Sequence, residues 1–239
     1  MSYRPTTDDK YVGIEIECFA DEDQIFVESV LRKYKLQNNI NIDSDGSIES
    51  EHLYNNERSQ DEDSDGYYDD DPEVYRKGYE FQVLAKQSEL KDILNRTGLA
   101  LKEIHADVND SCGLHVHLDM RNRKVIDSVK KLLNVQPLML KSVPKSRRNN
   151  SYCRPVTKEL INSEYKIGKY HVINTESLED KNTIEVRVHE GTVDTNEIYK
   201  WCKFLIQTVD GNFAAKTTRT TAKLPIRLKK YINERMRKC

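Results

Sequence analysis

The sequence predicts an α+β fold, mainly because runs of alternating apolar and polar residues are interspersed with longer runs at helical spacing. Neighbouring strand segments read as antiparallel, so the sheet is expected to be mainly antiparallel. At 239 residues the chain is long enough for one sizeable domain with appendages.

Lys10 to Phe19 reads as the first strand, with strict alternation after Gly13. Asp21 to Tyr34 places Ile25, Phe26, Val30 and Leu31 at roughly helical spacing. Asn39 to Ile48 reads as a second strand, broken by a turn at Asp45-Gly46. The stretch from Asn55 to Glu73 is acidic, with almost no aliphatic residues, and includes Asp61-Glu62-Asp63 and Asp69-Asp70-Asp71. Such a segment buries too little to offset the entropy of ordering, so residues 55–73 are expected to form a mobile insertion on a hairpin. Tyr79 to Leu84 would be the returning strand.

Ser88 to Ile104 is an amphipathic helix carrying Leu90, Ile93, Leu94, Leu99 and Leu101 on or near its buried side. A strand is expected at Cys112 to Met120 and a helix at Val125 to Leu140, then strands at Tyr170 to Asn174 and Thr183 to His189. Thr195 to Ala214 brings Ile198, Trp201, Cys202, Leu205 and Ile206 to one helix face. These readings give one domain over residues 1–215. Residues 216–239 form a basic C-terminal tail or helix. There is no internal repeat.

The net charge of −2 gives no global field that would favour nucleic acid or membrane. Hydrophobic content is 37%, a deficit concentrated in the acidic stretch. Residues 1–10 are polar, without the apolar core of a signal peptide, and no apolar run reaches membrane-span length. Five cysteines at irregular spacing fit reduced thiols better than a disulfide framework, so a cytoplasmic location is expected.

Three strands share an uncommon pattern. Ile14-Glu15-Ile16-Glu17 sets two carboxylates on one face, because side chains two apart in a strand point the same way. Leu114-His115-Val116-His117-Leu118 repeats the scheme with imidazoles, and Ile184-Glu185-Val186-Arg187-Val188-His189 repeats it with mixed charge. Tyr79-Glu80-Phe81 adds a fourth possible member in Glu80. Taken singly, each could be a solvated strand face or a cross-strand ion pair. Together they imply a sheet whose polar face is lined with ligands and whose aliphatic face packs on helices. Crowded carboxylates repel unless a cation neutralises them, and oxygen donors with imidazole suit Mg²⁺ or Mn²⁺ better than structural zinc.

These segments, in this order, resemble the amidoligase family of the carboxylate–amine ligase superfamily, which includes glutamine synthetase and glutamate–cysteine ligase. The matching pieces are Gly13-Ile-Glu15-Ile-Glu17, Asp45-Gly-Ser47-Ile, Tyr79-Glu80, Ser111-Cys-Gly113-Leu-His115-Val-His117, Tyr170 to Asn174, and Thr183-Ile-Glu185-Val-Arg187-Val-His-Glu-Gly191-Thr192. The resemblance implies a glutamine-synthetase-like domain, a curved antiparallel sheet with helices on its convex face and ATP and Mg²⁺ (or Mn²⁺) on its concave face. By position, Glu15, Glu17, Glu80, His115 and Glu185 resemble metal ligands. His117 resembles the residue facing nucleotide or substrate, and Arg187 the arginine that steadies the transferring phosphate; Glu185, His117 and Arg187 are the expected catalytic group. Asn174 falls on the nucleotide side.

The segment Arg147-Arg148-Asn-Asn-Ser-Tyr152-Cys153-Arg154 occupies the place of an arginine- and cysteine-containing loop of the family. Arg148 and Arg154 are candidates for nucleotide contact, but which arginine aligns stays open. Equally open is whether the loop is simply solvated, and whether Cys153 is a nucleophile or a buried thiol. Two departures stand out: the acidic insertion, and the lack of a GxxxxGK[ST] loop.

The implied activity is ATP-dependent joining of a carboxylate to an amine through an acyl phosphate, on small-molecule or peptide substrates. Family members occur in bacteria and their viruses, which would place a viral member in the host cytoplasm. Two other classes are kept as alternatives. An HxH metal hydrolase would use His115 and His117 but leaves Glu15, Glu17 and Arg187 without a role. A nucleic-acid or partner-binding module would use the basic C-terminal residues (Arg219, Lys223, Arg227, Lys229, Lys230, Arg235, Arg237, Lys238), although a basic end alone does not establish one and nucleic acid is not the expected partner.

Overall fold

Tyr11–Ala20 forms β1, the strand around which the sheet is organised. From Val12 to Glu17 its even-numbered positions are aliphatic and buried, and its odd-numbered positions carry the glutamates on the opposite face. On one side β1 pairs along its whole length with β3 (Lys77–Lys86), from Tyr11 opposite Lys86 to Ala20 opposite Lys77. On the other side it pairs with β4 (Gly113–Asp119). β2 (Ile40–Ser44) extends the sheet beyond β3, while β6 (Thr183–Glu190) and the short β5 (Ile173–Asn174) extend it beyond β4. The order is β2-β3-β1-β4-β6-β5, and every pairing is antiparallel. This computed structural model describes residues 10–44, 48, 76–148, 150–157, 160, 166–211, 213–214 and 219–239. The acidic stretch 55–73 and the Asp45-Gly46-Ser47 motif lie outside the described residues.

Among the described residues seven α-helices complete the α+β fold: α1 (Gln24–Lys33), α2 (Leu90–Glu103), α3 (Val125–Lys141), α4 (Lys145–Arg148), α5 (Ser177–Lys181), α6 (Thr195–Asp210) and α7 (Ile226–Lys238). The aliphatic face of the sheet carries Val12, Ile14, Ile16, Leu114, Val116, Leu118, Ile184 and Val186, all buried. They share one hydrophobic cluster with Leu94 of α2, Leu132 of α3 and Leu205 of α6. Each such side chain removed from water stabilises the fold by roughly 1.5–3 kcal/mol, so this face fixes which way the polar face must point. Among the described residues, no helix is long and apolar enough to cross a membrane. All five cysteines are free thiols.

Two helix faces differ from the sequence expectation. In α1 the buried stripe is Val27, Val30 and Leu31, while Ile25 is 76% exposed and Phe26 40% exposed. In α2 the stripe is Leu90, Ile93, Leu94, Thr97, Ala100 and Leu101, and Leu99 is exposed. Leu99 sits five residues beyond Leu94, about 140° round the helix, and so falls off the stripe. The strand expected over Tyr170 to Asn174 is confined to Ile173–Asn174. Backbone groups of residues 170–172 bond instead to Arg154 and Arg187: Arg154 N–H donates to Tyr170, Val172 N–H to Arg154, and Arg187 N–H to Val172.

The alternation of β6 is also interrupted. Val186 lies opposite Val116, but His189, not Val188, lies opposite Leu114, so one extra residue is accommodated as a bulge. His189 therefore leaves the polar face that the Glu185-x-Arg187-x-His189 spacing assigns to it. It is fully buried, with its ring 5.0 Å from that of Trp201.

The basic C-terminal stretch contains α7, whose Leu228, Tyr231 and Ile232 join the main core. Arg235 is buried and donates to Ser142 O at 2.9 Å and Glu190 at 2.6 Å, and lies 3.4 Å from Glu197. Tyr231 Oη donates to the same Glu197 at 2.7 Å. Removing Arg235 would leave two carboxylates without their cation, so Arg235→Ala is expected to lower stability by roughly 3 kcal/mol in urea unfolding. Burial alone would raise the Glu197 pKa, but the His189 imidazole 3.7 Å away, the Tyr231 hydrogen bond and the charge of Arg235 hold it down at about 2, against an ordinary 4.5. A depressed folded-state pKa gives stability that is present above about 4.5 and lost as pH falls towards 2. The stability difference between wild type and Glu197→Gln should therefore be largest above pH 4.5 and close on acidification, as read by thermal melts across that range.

Candidate functional site

The register of five strands, β1, β3, β4, β5 and β6, assembles the polar face. Glu15 of β1 lies opposite His115 of β4 and Gln82 of β3, and Glu17 lies opposite Glu80. His117 lies opposite Gly13 on one side and Glu185 on the other, and Asn174 of β5 lies opposite Glu185. The expected metal-ligand types are thus brought to one surface by adjacent strands.

Glu15 is the hub. Its Oε1 is 2.9 Å from His117 Nε2 and its Oε2 is 3.1 Å from His115 Nδ1, while Lys181 Nζ donates to Oε1 at 3.2 Å. Burial would raise the Glu15 pKa, but hydrogen bonds and charge from both imidazoles outweigh it and hold the carboxyl far below the usual range. Glu15 is therefore a permanent anion near neutrality. One ligand atom each from Glu15, His117 and Glu185 lies within 4.8 Å of the others, close enough for one divalent cation to bind all three.

His115 stands between the remaining carboxylates, 3.6 Å from Glu17 Oε1 through Nε2 and 3.6 Å from Glu185 Oε1 through Nδ1. His117 Nδ1 is 3.0 Å from Thr183 Oγ1, a contact that orients the ring with Nε2 towards Glu15. Glu17 accepts Gly113 N–H at 2.5 Å. Gly113 is needed for close approach: a Cβ there would come within 2.9 Å of His115 Nε2, 3.1 Å of Arg147 Nη2 and 3.2 Å of Glu17 Oε2. Glu80 lies on the same face, outside the three-residue cluster, and accepts Gln82 Nε2 at 2.7 Å. Burial, then repulsion from Glu15 and Glu17, raises its pKa, which marks this end of the face as over-supplied with negative charge.

Arg187 donates through Nη1 to Glu185, whose other oxygen accepts Asn174 Nδ2 at 2.7 Å. Asn174 Oδ1 in turn accepts Glu176 N–H at 2.9 Å. Asn174, expected on the nucleotide side, thus has both amide atoms engaged in fixing Glu185 and the following turn.

The arginine loop resolves into three different environments. Arg147 is the arginine that reaches the face: it is buried, it donates to Arg187 O at 3.1 Å, and its Nη2 approaches Gly113 beside Glu17. Arg148, a nucleotide candidate from sequence, faces away and donates to Val143 O at 2.9 Å and Cys239 O at 3.3 Å. Arg154, the other candidate, is exposed, with its backbone paired to residues 170 and 172. Cys153 is buried, and its thiol donates to Arg147 O at 3.3 Å. Burial pushes its pKa up, so it is a packed thiol that anchors Arg147, not an activated nucleophile.

Sequence reasoning missed Lys181, Arg147 as the choice within its loop, and Asp119. Asp119 had a readable signal, since it continues the His115-x-His117 alternation by one step. It is buried, and accepts Arg121 through Nε at 2.9 Å and Nη2 at 2.7 Å. Lys181 had no signal: it is a lysine in a charged turn. Asn182, in the left-handed region at φ 54°, ends α5 abruptly and delivers Lys181 and Thr183 to either side of His117 and Glu15.

No curated protein and no solved structure matches the chain. The model of a family described as "Putative amidoligase enzyme" matches residues 9–169, a span that includes Glu15, Glu17, Glu80, His115, His117 and Arg147 and ends before Glu185 and Arg187. With two thirds of its length matched, strands β1 to β4 among it, the chain belongs to the amidoligase family.

Proposed function

We propose that this protein is an ATP- and Mg²⁺-dependent (or Mn²⁺-dependent) ligase that joins a carboxylate to an amine through an acyl phosphate, on a curved, glutamine-synthetase-like sheet. The family supports a ligase-type enzyme. The observation that carries the finer reading is the Glu15–His117–Glu185 cluster with Arg187 bonded to one of its carboxylates. A hydrolase using His115 and His117 alone would not need a guanidinium held at that carboxylate.

The donor set fits a hard divalent cation: Glu15 and Glu185 supply oxygen, His117 supplies nitrogen, and Glu17, Glu80 and His115 lie alongside. A bound cation would supply charge neutralisation for phosphate oxygens. The remaining work falls to the protein. Arg187 presents a delocalised cation whose position is set by Glu185, suited to phosphoryl oxygens that gain charge during transfer. Arg147 and Arg187 each retain a buried Nε without a protein acceptor, which fits an anion or water against these two groups.

In the reaction, a substrate carboxylate oxygen attacks the γ-phosphorus of ATP, the bond to ADP breaks, and an acyl phosphate forms. The amine nitrogen then attacks the acyl carbon, phosphate leaves, and the nitrogen loses a proton, giving amide, ADP and phosphate. The location expected from the free cysteines is cytoplasmic. The C-terminal basic residues are not needed for this reading, and Arg235, the most buried of them, is already spent on Glu190 and Glu197.

Two measurements test the proposal. Saturating Mn²⁺ or Mg²⁺ should raise the melting temperature by roughly 5–10 °C, reversibly with chelator. That shift should vanish in Glu185→Gln, and a wild-type protein indifferent to both ions would remove the metal from the proposal. Turnover should be followed with Mg²⁺, ATP and a panel of acids and amines, with products identified by mass spectrometry. Arg187→Ala should lose about 10²–10³-fold in turnover, the equivalent of about 3–4 kcal/mol of barrier. Products of AMP and pyrophosphate, or zinc-dependent hydrolysis without ATP, would contradict the acyl phosphate route.

A further inference from the structure

The basic C-terminal residues that the ligase reading leaves unused are gathered by the fold into one patch. α7 buries Leu228, Tyr231, Ile232 and Arg235, so at 3.6 residues per turn its opposite side is turned to solvent. On that side Lys229, Asn233 and Arg237 recur every four residues, with Lys230 next to Lys229. Thr221 Oγ1 donates to Asn233 Oδ1 at 2.8 Å, which pins the short 3₁₀ turn Thr221–Lys223 against the middle of this row. The turn brings Lys223 with it, and Arg219 lies two residues before it. Lys141, the last residue of α3, donates through Nζ to Arg219 O at 3.3 Å and adds a further cation. Lys141, Arg219, Lys223, Lys229, Lys230 and Arg237 are all exposed, and among the described residues none of them forms an ion pair.

We infer that this patch binds the phosphate backbone of a nucleic-acid duplex without regard to sequence. The inference is independent of the ligase reading, which uses none of these residues.

Charge is the first argument. Glu234 is the one carboxylate of α7, against six basic residues of which Arg235 alone turns inward, to Glu190 and Glu197. The overall charge of −2 hides this, because a field is set by where charges sit and not only by their sum. Gathered cations repel one another, and a polyanion relieves all of them at once where a small anion relieves one or two.

Geometry is the second. From Lys229 to Arg237 the helix rises about 12 Å, close to the width of a B-form major groove. Cations at the two ends of the row can therefore reach phosphates on both strands.

What the patch lacks decides between polyanions. Tyr231, the one aromatic residue of α7, is buried, so the helix offers no platform on which single-stranded bases would stack. Asn233, the one side chain of the row suited to a base edge, has its amide oxygen engaged by Thr221. Lysines and arginines on their own contact phosphate and read no sequence. The apolar stripe of α7 is spent on the core, and Ile226 is its one exposed large hydrophobic residue, too little to seat the helix in a lipid surface.

Fluorescence anisotropy tests this with labelled DNA and RNA duplexes of about 20 base pairs, titrated with the full-length protein from about 50 to about 200 mM salt. The test variant is Lys229→Gln/Lys230→Gln/Arg237→Gln. The control, Lys77→Gln/Lys91→Gln/Lys102→Gln, removes the same charge from exposed positions on β3 and α2. Wild type should bind at least one duplex at low salt and release it as salt rises. The test variant should lose about tenfold or more in affinity, and its slope of log affinity against log salt should be shallower by about 2–3, at about 0.9 per phosphate contact. The control should stay within about twofold of wild type. Should the test variant not melt like wild type, Lys229→Gln and Arg237→Gln singly carry the test, each with a slope shallower by about one. Equal losses in test and control variants would overturn the inference, because the duplex would then sense only total charge. Binding to poly-glutamate or to phosphatidylserine vesicles, with neither duplex bound, would also overturn it and give the patch to an acidic polypeptide or a lipid surface.

Discussion

The carboxylate of Glu15 is the contact on which the polar face depends. It is largely buried, and it holds two imidazoles from the neighbouring strand at once, one on each oxygen. That arrangement exists only if β1 pairs with β4 so that Glu15 meets His115 and Gly13 meets His117. A slip of one residue would turn every carboxylate of β1 into the helix layer and every isoleucine out of it. The aliphatic face therefore enforces the chemistry of the polar one. Gly13 has a specific part in this, since a Cβ there would approach His117 Cβ to 3.1 Å and press the imidazole away from its place over β1.

The side chains on β1, β3, β4 and β6 were legible because a two-residue period is a local property of a strand, and Glu15, Glu17, Glu80, His115, His117, Glu185 and Arg187 obey it. What was not legible depends on contacts between distant segments. The bulge in β6 that carries His189 from the polar face to Trp201 is a feature of how β6 pairs with β4, and a hexapeptide alone does not encode it. Arg147, Arg148 and Arg154 are indistinguishable by composition. Arg147 and Arg148 sit side by side on the short helix α4, where Arg148 is drawn to Val143 O and Cys239 O, and Arg154 lies beyond that helix. Lys181 looked like a solvent residue because its partner, Glu15, is far away in sequence. Ile25, Phe26 and Leu99 show the converse limit: apolar identity suggests burial, yet only a stripe of each helix meets the core.

The two ends of the polar face differ in charge, and the difference is informative. At the Glu17 and Glu80 end, carboxylates crowd together and raise the pKa of Glu80. Arg147 and Arg187 stand nearby, each with a buried Nε that has no protein acceptor. At the Asp119 end, each basic chain is already paired with a carboxylate, and a cavity there is lined with neutral amides. The polar face thus carries matched charge at one end and an excess of carboxylate, with two arginines beside it, at the other.

The segment matched by the family model ends at residue 169, yet the polar face is incomplete without the strands and helices beyond that point. β6 supplies Glu185 and Arg187, β5 supplies the amide that fixes Glu185, and α5 delivers Lys181. α7 reaches the face indirectly. Arg235 bonds to Ser142, three residues before α4, and to Glu190, three residues after Arg187. Arg148 bonds to the last residue of the chain. The backbone segments that carry Arg147 and Arg187 are thus tied to one helix, and Arg147 donates to the carbonyl of Arg187 between those ties. The basic C-terminal residues that suggested a binding surface include one, Arg235, whose charge is directed inward. Its position makes the placement of the two arginines a property of the whole fold and not of the loop and strand that bear them.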